Sequence, residues 1–418
     1  MPAILNYLLV GLALLALAGV VLEEKTHVNK AKVTLFCGTL SWLLLFFFAG
    51  SGEARQAVLH SLNENIAEIA GLWIFLVAAM TFVAYLNKKG MIESLIYLIL
   101  PRRISERALL FLTAGFCFVF SSLADNITAT LVSVTLILSL KLERAKTLKF
   151  ATLVVFAVNS GGVALITGDV TTLMIFLAGK VQILQLLLLA LPALAAVLLL
   201  AGLLSIGMNG QVSIELSRAE VRKVDVAIAL IFLATILGTI LLNFLFQVPP
   251  VLTFLSGLSV MFLVARFFND DNDADPILEY VRQVEFETLL FFLGILLLVG
   301  MLKDIGVLDG LVRVYDAVPP VVANYLMGVL SAAIDNVPLT AALLKSGLDM
   351  GVAEWMVLTY SVGVGGSLLV IGSAAGIVAM SKVQGLTFGT YLKHFLYLFI
   401  AFNAGFAGVY AVGRLLSA

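Results

Sequence analysis

Two ten-residue segments carry the residue types best suited to chemistry: SSLADNITAT at 121–130 and SAAIDNVPLT at 331–340. Each sets an Asp–Asn pair inside an apolar stretch, with Ser121 matching Ser331, Asp125 matching Asp335, Asn126 matching Asn336 and Thr130 matching Thr340. An aspartate at the centre of a membrane helix costs about 2.5–3.5 kcal/mol on insertion scales. Two at equivalent positions point to bound cations or protons that offset the cost. The amide carbonyls of Asn126 and Asn336 add oxygen ligands of the kind a hard cation prefers. Asp–Asn is also good turn chemistry, so a capping role can coexist with a ligand role. Ser121, Thr128 and Ser331 supply hydroxyls, which in membrane helices usually bond backbone carbonyls.

A second constellation repeats as well. NSGGVALITGDVTT at 159–172 and GGSLLVIGS at 365–373 align through their glycine pairs and through Gly168 and Gly372. Adjacent glycines break a helix in mid-span, and the freed carbonyls need partners, of which a cation is one. Asn159, Asp169, Thr171 and Thr172 make the first break polar. Its counterpart offers Ser367 and Ser373, so Asp169 is matched by a serine and the two breaks differ in charge. The bland alternatives are close packing of helices through small residues and, for Asp169, a partly hydrated position near the outer end of a tilted helix. Glu68, Glu285 and Glu287 read as solvated helix entrances.

The elements that must position these residues follow from composition. Of 418 residues 61% are hydrophobic and 12% charged, against about 25% charged in a soluble domain. Such a chain cannot cover a water-facing surface. Apolar runs of about 20 residues, long enough to cross a bilayer, fall near 3–22, 33–50, 67–86, 149–178, 183–204, 225–246, 250–268, 287–303, 354–380 and 388–413. The fold class is therefore an all-α polytopic membrane protein with about ten spanning helices, and its first partner is the lipid bilayer. The run at 3–22 reads as a retained helix because no basic residue precedes it. A net charge of -1 gives no reason to expect nucleic acid. Cys37 and Cys117 read as small core residues, and His27, His60 and His394 are too scattered for a ligand cluster.

Two apolar stretches, 107–140 and 319–346, are too short for two crossings, which need roughly 40 residues plus a turn, and each has a polar middle. Lys88, Lys89, Arg102 and Arg103 precede the first, and Lys141, Arg144, Lys146 and Lys149 follow it. Basic flanks on both sides predict a cytoplasmic start and end, hence a re-entrant hairpin with its tip near the midplane. The second stretch has mildly acidic flanks and reads as a hairpin from the opposite face. The organisation expected is an N-terminal helix (1–32), repeat one (33–204, hairpin 107–140, broken helix 149–178), a linker loop and connecting helix (205–249), and an inverted repeat two (250–418, hairpin 319–346, broken helix 354–380). Inverted repeats with broken helices mark secondary transporters and favour alternating access over a channel. No HExxH or GxSxG motif suggests an enzyme.

These tips and breaks resemble NhaD-type sodium/proton antiporters, which belong to a superfamily of ion transporters that also holds arsenite, citrate and dicarboxylate carriers. The resemblance covers nearly the whole chain. It implies a multi-pass exchanger of Na⁺, and often Li⁺, for H⁺ in a bacterial inner membrane, serving pH homeostasis, with no cofactor beyond the transported ions. It also implies a homodimer. It carries ion and proton binding to Ser121, Asp125, Asn126, Asn159, Asp169, Thr171 and Thr172, and in repeat two to Ser331, Asp335, Asn336 and the serines Ser367 and Ser373. Na⁺ is expected at Asp125, Asn126, Asp335 and Asn336, with cation and protons competing for the aspartates. The alternative is a sodium-coupled carrier of an anion such as a dicarboxylate or arsenite. The aspartates would repel such an anion, and no basic residue in the sequence is assigned to the midplane to receive one.

Overall fold

The computed structural model describes residues 3–26, 28–91, 94, 101, 103–213, 222–268, 280–282 and 284–417. His27, Arg102 and most of the acidic loop 269–285 lie outside them. Among the described residues, seven helices are long and apolar enough to cross a membrane, and further apolar helices are shorter. Leu230, Leu237, Leu241 and Phe244 on one long helix are more than half exposed. In water that would be a liability; in lipid it is the expected outer surface.

In chain order the first helices are α1 (Ala3–Val21), α2 (Glu23–Thr26), α3 (Lys30–Phe48) and α4 (Gly52–Lys88). The strand β1 (Arg103–Ser105) leads into α5 (Glu106–Leu123), then α6 (Asn126–Ser139), α7 (Arg144–Gly162), α8 (Val170–Leu177) and α9 (Ile183–Leu204). After β2 (Gln211–Ser213) come α10 (Lys223–Phe246), α11 (Pro250–Phe268), α12 (Phe286–Asp304) and α13 (Asp309–Ala317). The chain closes with α14 (Pro320–Ser331), α15 (Asn336–Lys345), α16 (Val352–Gly365), α17 (Ala374–Lys382), α18 (Phe388–Leu392) and α19 (Phe395–Ser417).

Three elements differ from the sequence reading. The span placed at 67–86 is the second half of a 37-residue helix, because residues 52–66 are good helix formers whose charges stand in solvent. The span at 388–413 is divided: Thr387 caps a five-residue helix, and the long helix starts only at Phe395. A short antiparallel ribbon pairs Arg103 with Ser213 and Ser105 with Gln211. No alternating pattern longer than three residues announces it. Glu106 helps to hold it, accepting from the backbone N–H of Gly210.

The chain forms two compact units. One comprises Met1–Ala70, Phe111–Ile206 and Phe286–Ala418; the other comprises Gly71–Leu110 and Gly207–Glu285. In the smaller unit, α10 packs on α11, with Thr239 and Thr253 sharing a hydrogen bond of 2.7 Å. Aromatic contacts between Phe82 and Phe232 and between Phe75 and Phe254 add to its core. Asp225, buried at the start of α10, accepts from the Tyr85 hydroxyl at 2.7 Å.

The larger unit contains both tips and both breaks. Cys117 on α5 donates to Ser133 on α6 at 3.2 Å, across 16 residues of chain. A straight helix of that length would separate the two by about 24 Å, so the chain reverses at Asp125, which lies midway. The second tip turns at Asp335, between the touching helices α14 and α15.

The two breaks use the same contacts. Ser121 donates to the Val158 carbonyl and Ser331 to the Val362 carbonyl, both at 2.7 Å. Gly161 lies against the Phe118 carbonyl and Gly365 against the Gly328 carbonyl, so close that a methyl group at either would collide with backbone. Backbone cannot swing aside as a side chain can. Gly161→Ala and Gly365→Ala are each expected to cost roughly 1–3 kcal/mol, read as a lower melting temperature in detergent. Gly202→Ala, with its nearest neighbour 3.9 Å away, should leave melting unchanged or raised.

The tips and breaks also exchange partners. The second arm of the first hairpin, α6, packs on α17, while the second arm of the other hairpin, α15, packs on α8.

Candidate ion-binding site

The exchange of partners brings Asp169 to the centre. The chain leaves α7 at the glycine pair, runs through 163–169 as turns, and restarts at Val170 with Asp169 as the N-cap. One carboxylate oxygen, Oδ1, accepts from the Thr171 N–H at 3.0 Å. The other, Oδ2, accepts from Asn126 Nδ2 of the first tip at 3.0 Å and from Asn336 Nδ2 of the second tip at 3.1 Å. Asp169 is only 7% exposed, so the partly hydrated helix end entertained from the sequence does not describe it. A carboxylate this deep is costly to leave bare, and hydrogen-bond donors alone offset that cost incompletely.

The surrounding polar groups divide into engaged and unengaged atoms. Ser121 donates at 2.9 Å to Asn126 Oδ1, or alternatively to Val158, and so supports the first amide. Asn159 Nδ2 donates to Ser373 Oγ at 2.9 Å, linking the two breaks. Ser373 is itself an N-cap, the counterpart of Asp169. Among the described residues, Asn159 Oδ1, Thr171 Oγ1 and Thr340 Oγ1 are buried without a hydrogen-bond partner. Unsatisfied buried oxygens are uncommon in a folded chain, and these three are potential ligands. Thr172 donates weakly to the Gly162 carbonyl at 3.3 Å. Ser331 and Ser367 spend their hydroxyls on the carbonyls of Val362 and Val364.

The tip aspartates occupy a different environment from Asp169. Asp125 caps α6: Oδ1 accepts from the Thr128 N–H at 2.9 Å and Oδ2 from the Thr128 hydroxyl at 2.7 Å. Asp335 caps α15, accepting from the Val337 N–H at 3.1 Å. Its Oδ2 lies 3.4 Å from Lys30 Nζ. The sequence reading assigns no basic residue to either tip, and the structure places Lys30 at the second. Lys30 stands at the first turn of α3, where it reads as an interfacial flank, and 305 residues of chain separate it from its partner. Lys30 is the residue sequence reasoning missed. The one available signal was Pro338, which stands where the first tip has Thr128 and deprives Asp335 of a hydroxyl partner.

A family model described as "Citrate transporter" matches residues 8–363. The Na(+)/H(+) antiporter NhaD of Alkalimonas amylolytica is 30% identical over 436 residues, spanning 97% of this chain and 90% of its own. The Na(+)/H(+) antiporter NhaD of Vibrio cholerae is 31% identical, spanning 90% of this chain and 85% of its own. Sodium/proton antiporter 1 of Arabidopsis thaliana is 30% identical, spanning 95% and 71%.

Proposed function

Since the chain belongs to the citrate-transporter family, and to the NhaD antiporter family with which it aligns over most of its length, we propose that it exchanges Na⁺ for H⁺ across a membrane at Asp169 and the two tips. The observation that carries the proposal is the buried carboxylate held by one amide from each tip. Sodium prefers oxygen, and each amide can supply it. A half-turn of the Asn126 amide exchanges its donor for a carbonyl oxygen facing Asp169. The Ser121 hydroxyl can then accept where it had donated, since a hydroxyl does either. The donors that faced the carboxylate are then replaced by oxygen ligands, and the unpartnered oxygens of Asn159, Thr171 and Thr340 are assigned as further candidates to complete the shell.

A proton serves the same end by a different route. Protonated Asp169 donates one hydrogen bond to a turned amide carbonyl and carries no charge. Sodium and proton therefore neutralise the same group, and each excludes the other. A bare carboxylate is the state that does not cross an apolar surrounding cheaply, so reorientation by alternating access is confined to the neutralised forms. Asp125 and Asp335 are assigned to the same cycle as further proton or cation carriers, with Asn336, Ser373 and Thr172 framing the site. We further take Li⁺ as a second cargo, two inverted repeats as the architecture, a bacterial inner membrane as the location and a homodimer with a moving transport domain and a fixed scaffold as the assembly.

The family description and the presence of Lys30 beside the second tip favour a competing reading, a sodium-coupled anion carrier. Against it, the charge of Lys30 is already met by Asp335, and the central group is a carboxylate. The test is purified protein in liposomes with an internal pH dye. Added Na⁺ should move protons where choline does not. No proton response, or saturable sodium-coupled uptake of citrate or succinate, would overturn the assignment.

A further inference from the structure

The two tips differ in how the second carboxylate oxygen of the capping aspartate is satisfied. In the first, Thr128 provides both an N–H and a hydroxyl to Asp125. In the second, Pro338 holds the place of Thr128, and a proline has neither an N–H nor a side-chain donor. Asp335 is left with the Val337 N–H on Oδ1 and an open Oδ2. A hydroxyl has been replaced by a charge: Lys30 Nζ lies 3.4 Å from that oxygen, with side chains 21% and 13% exposed. The ammonium also lies over the Phe291 ring, 4.5 Å from its centre, a contact that favours a cation there. Glu23 fixes the start of α3 by accepting from the Lys30 N–H at 3.0 Å.

Glu23, Lys30 and Asp335 line one small cavity, closed by Val20, Ala333 and Ile371. Its volume of about 40 Å³ exceeds what a single water requires. The cavity thus holds two carboxylates and one ammonium, with room for a further small cation or water beside them. The ammonium sits where a free cation would sit. Its stem is flexible and its three donors are rotatable, so it can leave Asp335 without unfolding anything.

We propose that Lys30 is a tethered counter-cation for Asp335, which an incoming Na⁺ displaces, so that Lys30 sets the apparent affinity of the carrier for Na⁺. The proposal rests on the cation-exchange reading. It gives Asp335 a charge-balancing partner with no ion bound, where Asp125 has only the neutral N–H and hydroxyl donors of Thr128. Lys30 is a specificity-determining residue here and is not itself a carrier of cargo.

The test uses two readouts on the full-length protein. In liposomes, Lys30→Gln removes the competitor while keeping a similar length. The KM for Na⁺ should fall by about threefold or more, the scale of a partly buried ion pair, while Lys30→Arg stays near wild type. A purely structural role would lower the maximal rate or the yield and leave KM in place. Independently, the wild-type protein in detergent is acylated with an amine-reactive ester in NaCl or in choline chloride, and Lys30 is followed by mass spectrometry. Sodium should raise its labelling. A KM for Na⁺ that is unchanged or raised in Lys30→Gln overturns the proposal, as does labelling of Lys30 that Na⁺ leaves unchanged. Where Lys30→Gln fails to reach the membrane, the wild-type labelling decides. Absence of Na⁺-driven proton flux in the wild type would instead remove the exchange reading, while the labelling still reports whether Na⁺ displaces the lysine.

Discussion

Asp169→Asn should abolish exchange, lowering the Na⁺-driven proton flux by at least about 100-fold, equivalent to some 2.7 kcal/mol of lost stabilisation. Asparagine keeps the shape: its carbonyl oxygen can accept from the Thr171 N–H as Oδ1 does now, and its own amide can donate to Asn126 and Asn336 once those amides turn their carbonyls towards it. It also caps a helix as well as aspartate does, so α8 should still start at Val170. What it lacks is a negative charge and a removable proton. Burial of a neutral amide is cheaper than burial of a charge, so the variant should reach the membrane and melt in detergent at or above the wild-type temperature. Those two measurements together separate the roles. If Asp169 only caps α8, flux and melting both stay near wild type; if it binds the exchanged ions, flux alone collapses. Normal flux in a well-folded Asp169→Asn protein would end the proposed mechanism.

The tip aspartates provide the second large effect. Asp125→Asn and Asp335→Asn are each expected to cut exchange by about 100-fold with expression retained. The geometry makes Asp125 the stricter test. Both of its oxygens are satisfied by Thr128, and an asparagine can accept the same N–H and turn its own amide to the hydroxyl. A cap needs nothing more. Wild-type exchange by Asp125→Asn would confine this residue to a capping role. In Asp335→Asn the ammonium of Lys30 loses its counter-charge, so the double variant Lys30→Gln/Asp335→Asn should melt at a higher temperature than Asp335→Asn without recovering transport. Recovery of transport as well would show that the charge at 335 is needed only to satisfy Lys30.

How far the site was legible from sequence depends on which interactions are local. The tips and breaks announce themselves because polar residues in an apolar run are rare and because each occurs twice. Glycine pairs explain where α7 and α16 stop. The caps at Asp125, Asp169, Asp335 and Ser373 involve partners two or three residues away. What the sequence does not contain is which breaks and tips face each other. Asn336 meets Asp169 across 167 residues, and nothing in either segment specifies the other. The ranking of the acids suffered for the same reason. Asp125 and Asp335 look strongest because they are duplicated, whereas Asp169 matches only a serine, yet Asp169 is the one that contacts both tips. Lys30 was hidden by position, since a lysine at the start of an apolar helix is an ordinary interfacial anchor.

The crossing of arms between the two halves has a consequence for biogenesis. When the ribosome has delivered the chain as far as α9, the first hairpin and its broken helix are complete in sequence, yet α6 still lacks α17 and α8 still lacks α15. Asp169 at that stage has only one of its two amide donors, because Asn336 has yet to be made. The half-built protein therefore holds a buried acid with an incomplete partner set, and it stays open until the last third of the chain arrives. A fragment that ends at α9 is expected to lack the contacts of α15 with α8 and of α17 with α6, and with them the second amide on Asp169.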